Sequence, residues 1–161
     1  MNAAPDRAPK PCTSPAEADA PLQDRASFPH VREIPTRWMD NDTYGHVNNV
    51  VYYSYFDTVA NAFLIEKGGL DIQADPVIGL VVETKCTYRK PLTFPDIVAA
   101  GLRVRRMGRS SVTYEIGLFR GDDTEPAAFG YFVHVYVDRE SRRPVPVPEK
   151  LRRALEPILA T

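Results

Sequence analysis

The sequence predicts a single α+β domain in which one long helix is followed by a run of antiparallel strands. Three observations support this fold class. One amphipathic helix follows a first extended segment, four β-rich segments come after it, and no strand–helix–strand repeat is present. A chain of 161 residues is long enough to bury one substantial core.

The helix is predicted from the spacing of its apolar residues. They recur at three- and four-residue intervals, as Tyr52, Tyr55, Phe56, Val59 and Phe63. This spacing puts them on one face, which can be buried. We expect Asn48 or Asn49 to cap the helix N-terminus, and Gly68–Gly69 to end the helix where a left-handed residue is favoured.

The five strands are predicted from alternating apolar residues between turn signals. The first precedes the helix at residues 31–39, and the others cover 77–89, 96–107, 110–120 and 127–138. Residues 91–95, 108–109 and 121–123 carry the proline, glycine and aspartate of the intervening turns. Gly101, inside the third strand, predicts that the sheet passes close over the helix at this point.

Composition divides the rest of the chain. Residues 1–27 are expected to be disordered, because prolines, alanines and acids replace large apolar side chains there. Residues 28–143 form the predicted domain. Residues 144–161 form a proline-rich exit and a short C-terminal helix, with Pro148 at the helix start.

Charge and segment patterns exclude several classes of protein. The net charge of −1 gives no overall attraction to nucleic acid or membrane, and no apolar run reaches transmembrane length. Acidic residues and the lack of a continuous apolar stretch in residues 1–27 argue against a secretory or mitochondrial leader, so we expect a cytoplasmic protein. The two cysteines show no metal-ligand spacing, and no metal or cofactor is expected.

A polar run just before the helix holds the candidate catalytic residues, Asp40, Asp42 and His46. The helix N-terminus offers free N–H donors and a partial positive charge, which can hold a carbonyl oxygen and stabilise an oxyanion. A nearby carboxylate can attack the carbonyl or activate water. Alternatively, both aspartates only hold a tight loop through local side-chain bonds.

The wider pattern around these residues narrows the alternatives. It reads Trp38-x-Asp40-x-Asp42-x-x-Gly45-His46-Val47-Asn48-Asn49, followed by Tyr52 and an aromatic helix. This pattern resembles the hotdog-fold acyl-CoA thioesterases of the 4-hydroxybenzoyl-CoA thioesterase type. The resemblance implies a five-stranded antiparallel sheet wrapped around one long central helix, and a homodimer or homotetramer.

The resemblance also implies roles for individual residues. Asp42 takes the catalytic acid position, the Asn49 N–H polarises the thioester carbonyl, and Asp40 shapes the loop. His46 is a third candidate, more as a loop-organising or substrate-adjacent residue than as a general base. A related branch of the fold uses an acid within the helix, which makes Asp57 the alternative carboxylate.

Four arginines lie close together around a predicted hairpin, at Arg103, Arg105, Arg106 and Arg109. Such a cluster is often only a solvated strand end. Arginine also suits phosphate contacts, and the resembling family places basic residues and a hydroxyl against the CoA nucleotide here. Arg106, Arg109 and Ser110 fit that role. Lys85, Arg89 and Lys90 form a weaker second candidate.

Two functions remain open from the sequence. One is an acyl-CoA thioesterase that releases free acid and CoA, with Tyr52, Tyr55 and Phe56 as candidates for lining the acyl pocket. The other is a non-catalytic module that binds or senses acyl-CoA. The acid at Asp42 favours the enzyme, because a sensor has no need of it. The acyl group is not defined by the sequence.

Overall fold

The computed structural model describes residues 24–160. Two α-helices and five strands occur in this range, besides three short 3-10 helices: β1 His30–Pro35, α1 Val51–Glu66, β2 Val77–Tyr88, β3 Ile97–Met107, β4 Ser111–Arg120, β5 Ala128–Asp138 and α2 Glu149–Leu155. Residues 1–23 of the predicted disordered segment lie outside the described residues. The last residues of that segment, Arg25–Ser27, form a 3-10 turn.

The five strands form one sheet in the order β1-β3-β4-β5-β2, and every neighbouring pair is antiparallel. The predicted five-stranded antiparallel sheet is therefore confirmed, and the strand positions agree within a few residues. Strand β2 lies at one edge and contains a register shift between Val81 and Glu83. Its Leu80, Val81 and Val82 side chains are 37%, 47% and 61% exposed.

Helix α1 packs its predicted apolar face against the sheet. The residues Tyr52, Tyr55, Phe56, Val59 and Phe63 are all buried. The single long central helix is only partly observed, because α1 has 16 residues and the shorter α2 also buries Leu151 and Leu155 in the same core. Gly69 follows α1 with a φ of +62°, as the left-handed end of the helix requires.

The segment between β1 and α1 differs from the prediction. The first strand ends at Pro35 and not near residue 39, because Trp38–Asp40 closes a 3-10 turn. Helix α1 begins at Val51, and its capping residue Val50 makes no side-chain cap bond. The Asn48 side chain instead accepts the Val50 N–H at 3.1 Å, just before the helix, so neither asparagine is the predicted cap.

Gly101 accommodates an aromatic ring from the N-terminal segment. A Cβ at this position would lie 2.6 Å from the Phe28 ring, and a Cβ at Gly117 would lie 2.9 Å from the same ring. Phe28 packs edge-on against Phe119 in a small second core. The close approach at Gly101 is therefore made by Phe28, and the prediction that the helix lies there is wrong.

Candidate active site

Asp40 is the buried centre of the segment 37–49, here called the motif loop. Its side chain is 0% exposed. It accepts the Arg37 N–H at 2.8 Å, the Arg37 guanidinium at 2.9 Å and the Tyr55 hydroxyl at 2.8 Å. Both carboxylate oxygens are thus occupied, which assigns Asp40 to holding the loop on α1.

The hydrogen bonds to Asp40 also decide its charge. Burial by itself raises the pKa of this carboxyl, because it disfavours the charged form. The Arg37 N–H, the Tyr55 hydroxyl and the Arg37 guanidinium outweigh that effect and bring the Asp40 pKa below its ordinary value. The Tyr55 pKa is raised by burial and by its bond to Asp40. Asp40 is therefore a permanent carboxylate at neutral pH.

A second set of bonds closes the motif loop into a tight turn. The Asn41 side chain accepts the Phe94 N–H at 3.1 Å, and the Thr93 hydroxyl donates to the Gly45 carbonyl at 2.8 Å. The Val47 N–H donates to the Leu92 carbonyl at 2.8 Å. Gly45 has a φ of +81°, which favours glycine at the tip. The segment 92–94, after β2, thus supports the loop from outside.

Asp42 lies on the open side of this loop. An open cleft of about 670 Å³ is lined by Trp38, Asn41, Asp42, Thr43, Gly45 and Asn48. One oxygen of Asp42, Oδ1, accepts the Tyr44 N–H at 2.8 Å, which is the local loop bond of the alternative interpretation. The other oxygen has no protein donor within the described residues. Asp42 therefore combines a fixed orientation with a free oxygen at a cleft.

Asn49 follows the cleft residue Asn48 and is exposed. Within residues 24–160 its N–H has no acceptor, while the neighbouring Val51 N–H donates to the Asn48 carbonyl. The Asn49 carbonyl is held by the Tyr88 hydroxyl at 2.8 Å. Tyr88 is a residue that the sequence did not single out. The free N–H two residues before α1 is the donor that an oxyanion would need.

His46 contributes through its backbone in this structure. Its side chain is exposed, and its carbonyl accepts the Asp42 N–H at 2.8 Å. This bond fixes the Asp42 backbone across the turn. A backbone carbonyl forms this bond whatever the side chain, so the role of the His46 side chain stays a prediction.

The three aromatic candidates for the acyl pocket separate into two groups. Tyr52 and Tyr55 are buried in the core, where their hydroxyls bond the Leu92 N–H and Asp40. They support the motif loop, and neither of them lines the cleft at Asp42. Phe56 borders a cavity of about 130 Å³, together with Tyr53, Asp57, Val81, Thr84 and Phe132. Burial raises the Asp57 pKa there.

The arginine hairpin, residues 103–111, lies at the far end of the sheet from the motif loop. The Pro35 end of β1 pairs with Ile97, and β3 then runs 11 residues to Met107 before the hairpin. That length is about 33 Å of strand. Arg106 and Arg109 are exposed and have no carboxylate partner in the described chain. The structure does not bring Arg106, Arg109 or Ser110 to the cleft of their own chain.

The weaker basic candidate lies nearer the motif loop. The Arg89 and Lys90 N–H groups both donate to the Ala127 carbonyl. These two residues lie just before Leu92, whose carbonyl accepts the Val47 N–H of the motif loop. Arg89 stacks over Phe129 at 5.1 Å, and Lys90 pairs with Glu125 at 3.0 Å. The Arg89 guanidinium has no carboxylate partner in the described structure.

Catalysis by a cysteine thiol and by a bound metal ion both find little support in the described residues. Burial raises the Cys86 pKa to about 11, so the reactive thiolate is scarce at neutral pH. Between residues 24 and 160 no three His, Cys, Asp or Glu side chains are grouped closely enough to hold a metal ion. Residues 24–160 contain no helix that could span a membrane.

Comparison with known proteins agrees with this architecture. The model of the thioesterase-like superfamily matches residues 36–155. The crystal structure of PA5185 from Pseudomonas aeruginosa PAO1 is 52% identical, with a TM-score of 0.85 over 88% of this chain and 99% of that chain. A thioesterase from Thermus thermophilus, complexed with coenzyme A and Zn, is 29% identical, with a TM-score of 0.68 over 82% and 95%.

A relative known from its sequence is the Bacillus subtilis protein YsmA, which is 26% identical over 132 residues, covering 81% of this chain and 88% of YsmA. The antiparallel sheet with its helices is consistent with the hotdog thioesterase fold. The chain belongs to the thioesterase-like superfamily.

Proposed function

We propose that this protein is an acyl-CoA thioesterase of the 4-hydroxybenzoyl-CoA thioesterase type, which hydrolyses an acyl-CoA to a free acid and CoA. The observation that carries the proposal is the free oxygen of Asp42 in the motif cleft, which Asn48, the residue before the free Asn49 N–H, also lines. Superfamily membership supports thioesterase activity in general, and a similar protein has been crystallised with coenzyme A.

In this mechanism the thioester carbonyl oxygen accepts the Asn49 N–H, which stabilises negative charge as the carbonyl is attacked. Asp42 acts in one of two ways. As a general base it takes a proton from the water that attacks the carbonyl carbon. As a nucleophile it attacks that carbon itself, and water then hydrolyses the mixed anhydride. In both cases the carbon–sulfur bond breaks and the CoA thiolate takes up a proton.

We assign the supporting residues by their positions. Asp40, Tyr55 and Arg37 hold the motif loop, and His46 fixes the Asp42 backbone through its carbonyl. Phe56 lines the acyl side of the site, while Tyr52 belongs to the core. These assignments separate residues that act on substrate from residues that hold the loop.

We propose a homodimer as the working unit, which can double to a homotetramer. An edge strand with exposed apolar residues favours pairing with another chain, and β2 is such a strand at Leu80, Val81 and Val82. A two-fold axis makes this contact self-complementary. The neighbour can then supply Arg106, Arg109 and Ser110 to a cleft that its own hairpin does not reach.

The activity is tested with a panel of aryl-, short-, medium- and long-chain acyl-CoAs and detection of the released thiol. The proposal expects rapid thiol release with at least one class. Tight CoA binding without release of thiol from any substrate would identify the non-catalytic binding module instead.

The shared site is tested by mixing Asp42→Asn chains with chains carrying Arg106→Ala and Arg109→Ala. Random mixing makes about half the dimers mixed, and each mixed dimer has one intact site, so activity recovers to about a quarter of wild type. No recovery, with subunit exchange verified by mass spectrometry, would place the phosphate contacts on the chain that carries Asp42. Arg89 would then be the side chain to replace.

A further inference from the structure

Asn48 is a residue of the motif cleft whose polar atoms all have partners except one. Its backbone N–H donates to the Asp40 carbonyl at 2.8 Å, and its carbonyl accepts the Val51 N–H at 2.9 Å. Its side-chain Oδ1 accepts the Val50 N–H at 3.1 Å. The side-chain Nδ2 has no acceptor within residues 24–160. Asn48 therefore keeps two free N–H donors, both on Nδ2.

The orientation of this amide follows from its own hydrogen bond. The atom that accepts the Val50 N–H must be the oxygen, because an amide NH₂ group only donates. Nδ2 is therefore the free atom, and the Oδ1 bond limits the positions that it can take. Nδ2 is also accessible, because the buried side-chain nitrogens without a partner in the described chain are those of His30 and His134. Asn48 lines the motif cleft together with Asp42.

Asn41, which also lines the motif cleft, differs in this respect. Its Oδ1 accepts the Phe94 N–H at 3.1 Å, and its Nδ2 donates to the Thr93 hydroxyl at 3.3 Å. Both polar atoms of that side chain hold the motif loop. Of these two amides, the one of Asn48 is available to a bound molecule.

The free amide lies close to the free Asn49 N–H for covalent reasons. The Asn49 nitrogen is attached to the Asn48 carbonyl carbon, so only five covalent bonds join it to Asn48 Nδ2. Bonds of about 1.3–1.5 Å at ordinary bond angles keep these two nitrogens within about 6 Å of each other. A donor to an oxyanion lies about 2.7–3.1 Å from the oxygen, so one oxygen between the two nitrogens can accept from both.

We propose that Asn48 is a further catalytic residue, whose Nδ2 donates to the oxyanion beside the Asn49 N–H. This assignment rests on the proposed function. As water or Asp42 attacks the carbonyl carbon, the π electrons of the carbonyl move onto its oxygen. Both N–H groups donate to that oxygen and keep their protons. When the carbon–sulfur bond breaks, the electron pair returns to the carbonyl. Two donors thus stabilise a charge that one backbone N–H would hold alone.

The loop bond and the catalytic role of the Asn48 side chain can be separated by substitution. An aspartate oxygen can accept the Val50 N–H in the same way, and a serine hydroxyl does so more weakly. Asparagine adds an amide donor beside this acceptor. Asn48→Asp and Asn48→Ser therefore keep an acceptor for the loop and remove the amide donor.

The first test measures kcat and KM of both variants with one acyl-CoA that wild type hydrolyses. Asn48→Ser should lower kcat about 10²-fold because one donor is lost, and Asn48→Asp about 10³-fold because its carboxylate also repels the oxyanion. KM should stay near the wild-type value, since the amide acts on the transition state. Thr43→Val removes a hydroxyl from the same cleft wall and is the matched control, with kcat near that of wild type.

The second test measures binding and needs no hydrolysis. The ligand is an acyl-CoA analogue with CH₂ in place of sulfur and a trifluoromethyl ketone in place of the thioester, which adds water to form a tetrahedral hydrate. The comparison ligand has CH₂ in place of the ketone carbonyl. Wild type should bind the ketone about 10²-fold more tightly or more. Asn48→Ser should reduce this preference about tenfold and leave the affinity for the comparison ligand unchanged.

Unchanged kcat in both Asn48 variants of an active enzyme, or a ketone preference that is the same in wild type and Asn48→Ser, would overturn the second donor. A lower Tm with unchanged kcat would reduce Asn48 to its loop bond. Absence of thiol release by wild type across the whole acyl-CoA panel would instead refute the thioesterase proposal, and the oxyanion role with it.

Discussion

Asp40 and Asp42 are two residues apart in the motif loop, yet their surroundings are opposite. Asp40 is fully buried and has donors on both oxygens. Asp42 is half-exposed at an open cleft and has one protein donor, the Tyr44 N–H. A carboxylate surrounded by donors is a structural anchor, whereas one with a free oxygen can meet a substrate. The division of roles that we propose follows from hydrogen-bond partners and not from residue type.

The largest expected effect is on catalysis at the exposed side of the loop. Asp42→Asn should lower kcat by about 10²- to 10⁴-fold, because a positioned acid–base group is lost. CoA binding and Tm should change little, since one local bond to Tyr44 is affected. Steady-state kinetics and calorimetry check both parts, and a fall in Tm with unchanged kcat would reverse the assignment.

The arginine hairpin should affect binding more than chemistry. Replacing Arg106 and Arg109 by Ala should raise KM for CoA thioesters about tenfold or more with kcat nearly unchanged, because the nucleotide contributes uniform binding. The defect should shrink with pantetheine thioesters, which lack the nucleotide. Arg105→Ala, at an arginine 3.8 Å from Glu115, is the control. An equal defect on pantetheine substrates would mean that the hairpin binds something else.

The buried side of the loop should affect stability. Asp40→Asn removes the negative charge that accepts hydrogen bonds from Arg37 and Tyr55. We expect a loss of about 1–3 kcal/mol in the free energy of unfolding. Denaturant titration measures this loss. Unchanged stability would show that the Asp40 network is not an anchor.

Tyr55→Phe removes only one of the donors to Asp40, so its cost should be smaller, about 1–1.5 kcal/mol. Tyr53→Phe on the same helix is a control, because the Tyr53 hydroxyl has no hydrogen-bond partner in the described structure. If Tyr55→Phe lowers the free energy of unfolding as much as Asp40→Asn does, the Tyr55 hydroxyl alone accounts for the stabilisation by Asp40.

The Asp40 network should also give an acid-dependent stability. Because folding lowers the Asp40 pKa, its contribution is present above the ordinary carboxyl pKa of about 3.9 and is lost as pH falls through the lower folded value. The difference in Tm between wild type and Asp40→Asn should therefore narrow from pH 5 to pH 3. A difference that stays constant over this range would argue against an ionised anchor.

Much of the fold follows from local patterns in the sequence. The strands of the meander alternate cleanly between turn residues, so their positions agree within a few residues. The start of α1 is harder to predict from the sequence, because the Asn48 side chain forms its hydrogen bond just before the helix and leaves Val50 as the cap. The sequence also does not reveal that Phe28 occupies the space over Gly101. Both features depend on contacts between distant segments.

The candidate site could be predicted only in part, because it too depends on contacts between distant segments. Spacing alone leaves Asp40 and Asp42 equivalent, and only the family pattern separates them. The partners that distinguish them in the structure include Tyr55, 15 residues away.

The central claim is that Asp42 performs chemistry while Asp40 holds the loop. The most direct test is the ratio of kcat for Asp40→Asn to kcat for Asp42→Asn, measured with one acyl-CoA at a temperature where both variants are folded. We predict a ratio of about 100 or more, since only Asp42 acts on the reacting carbonyl. A ratio at or below one would contradict the assignment.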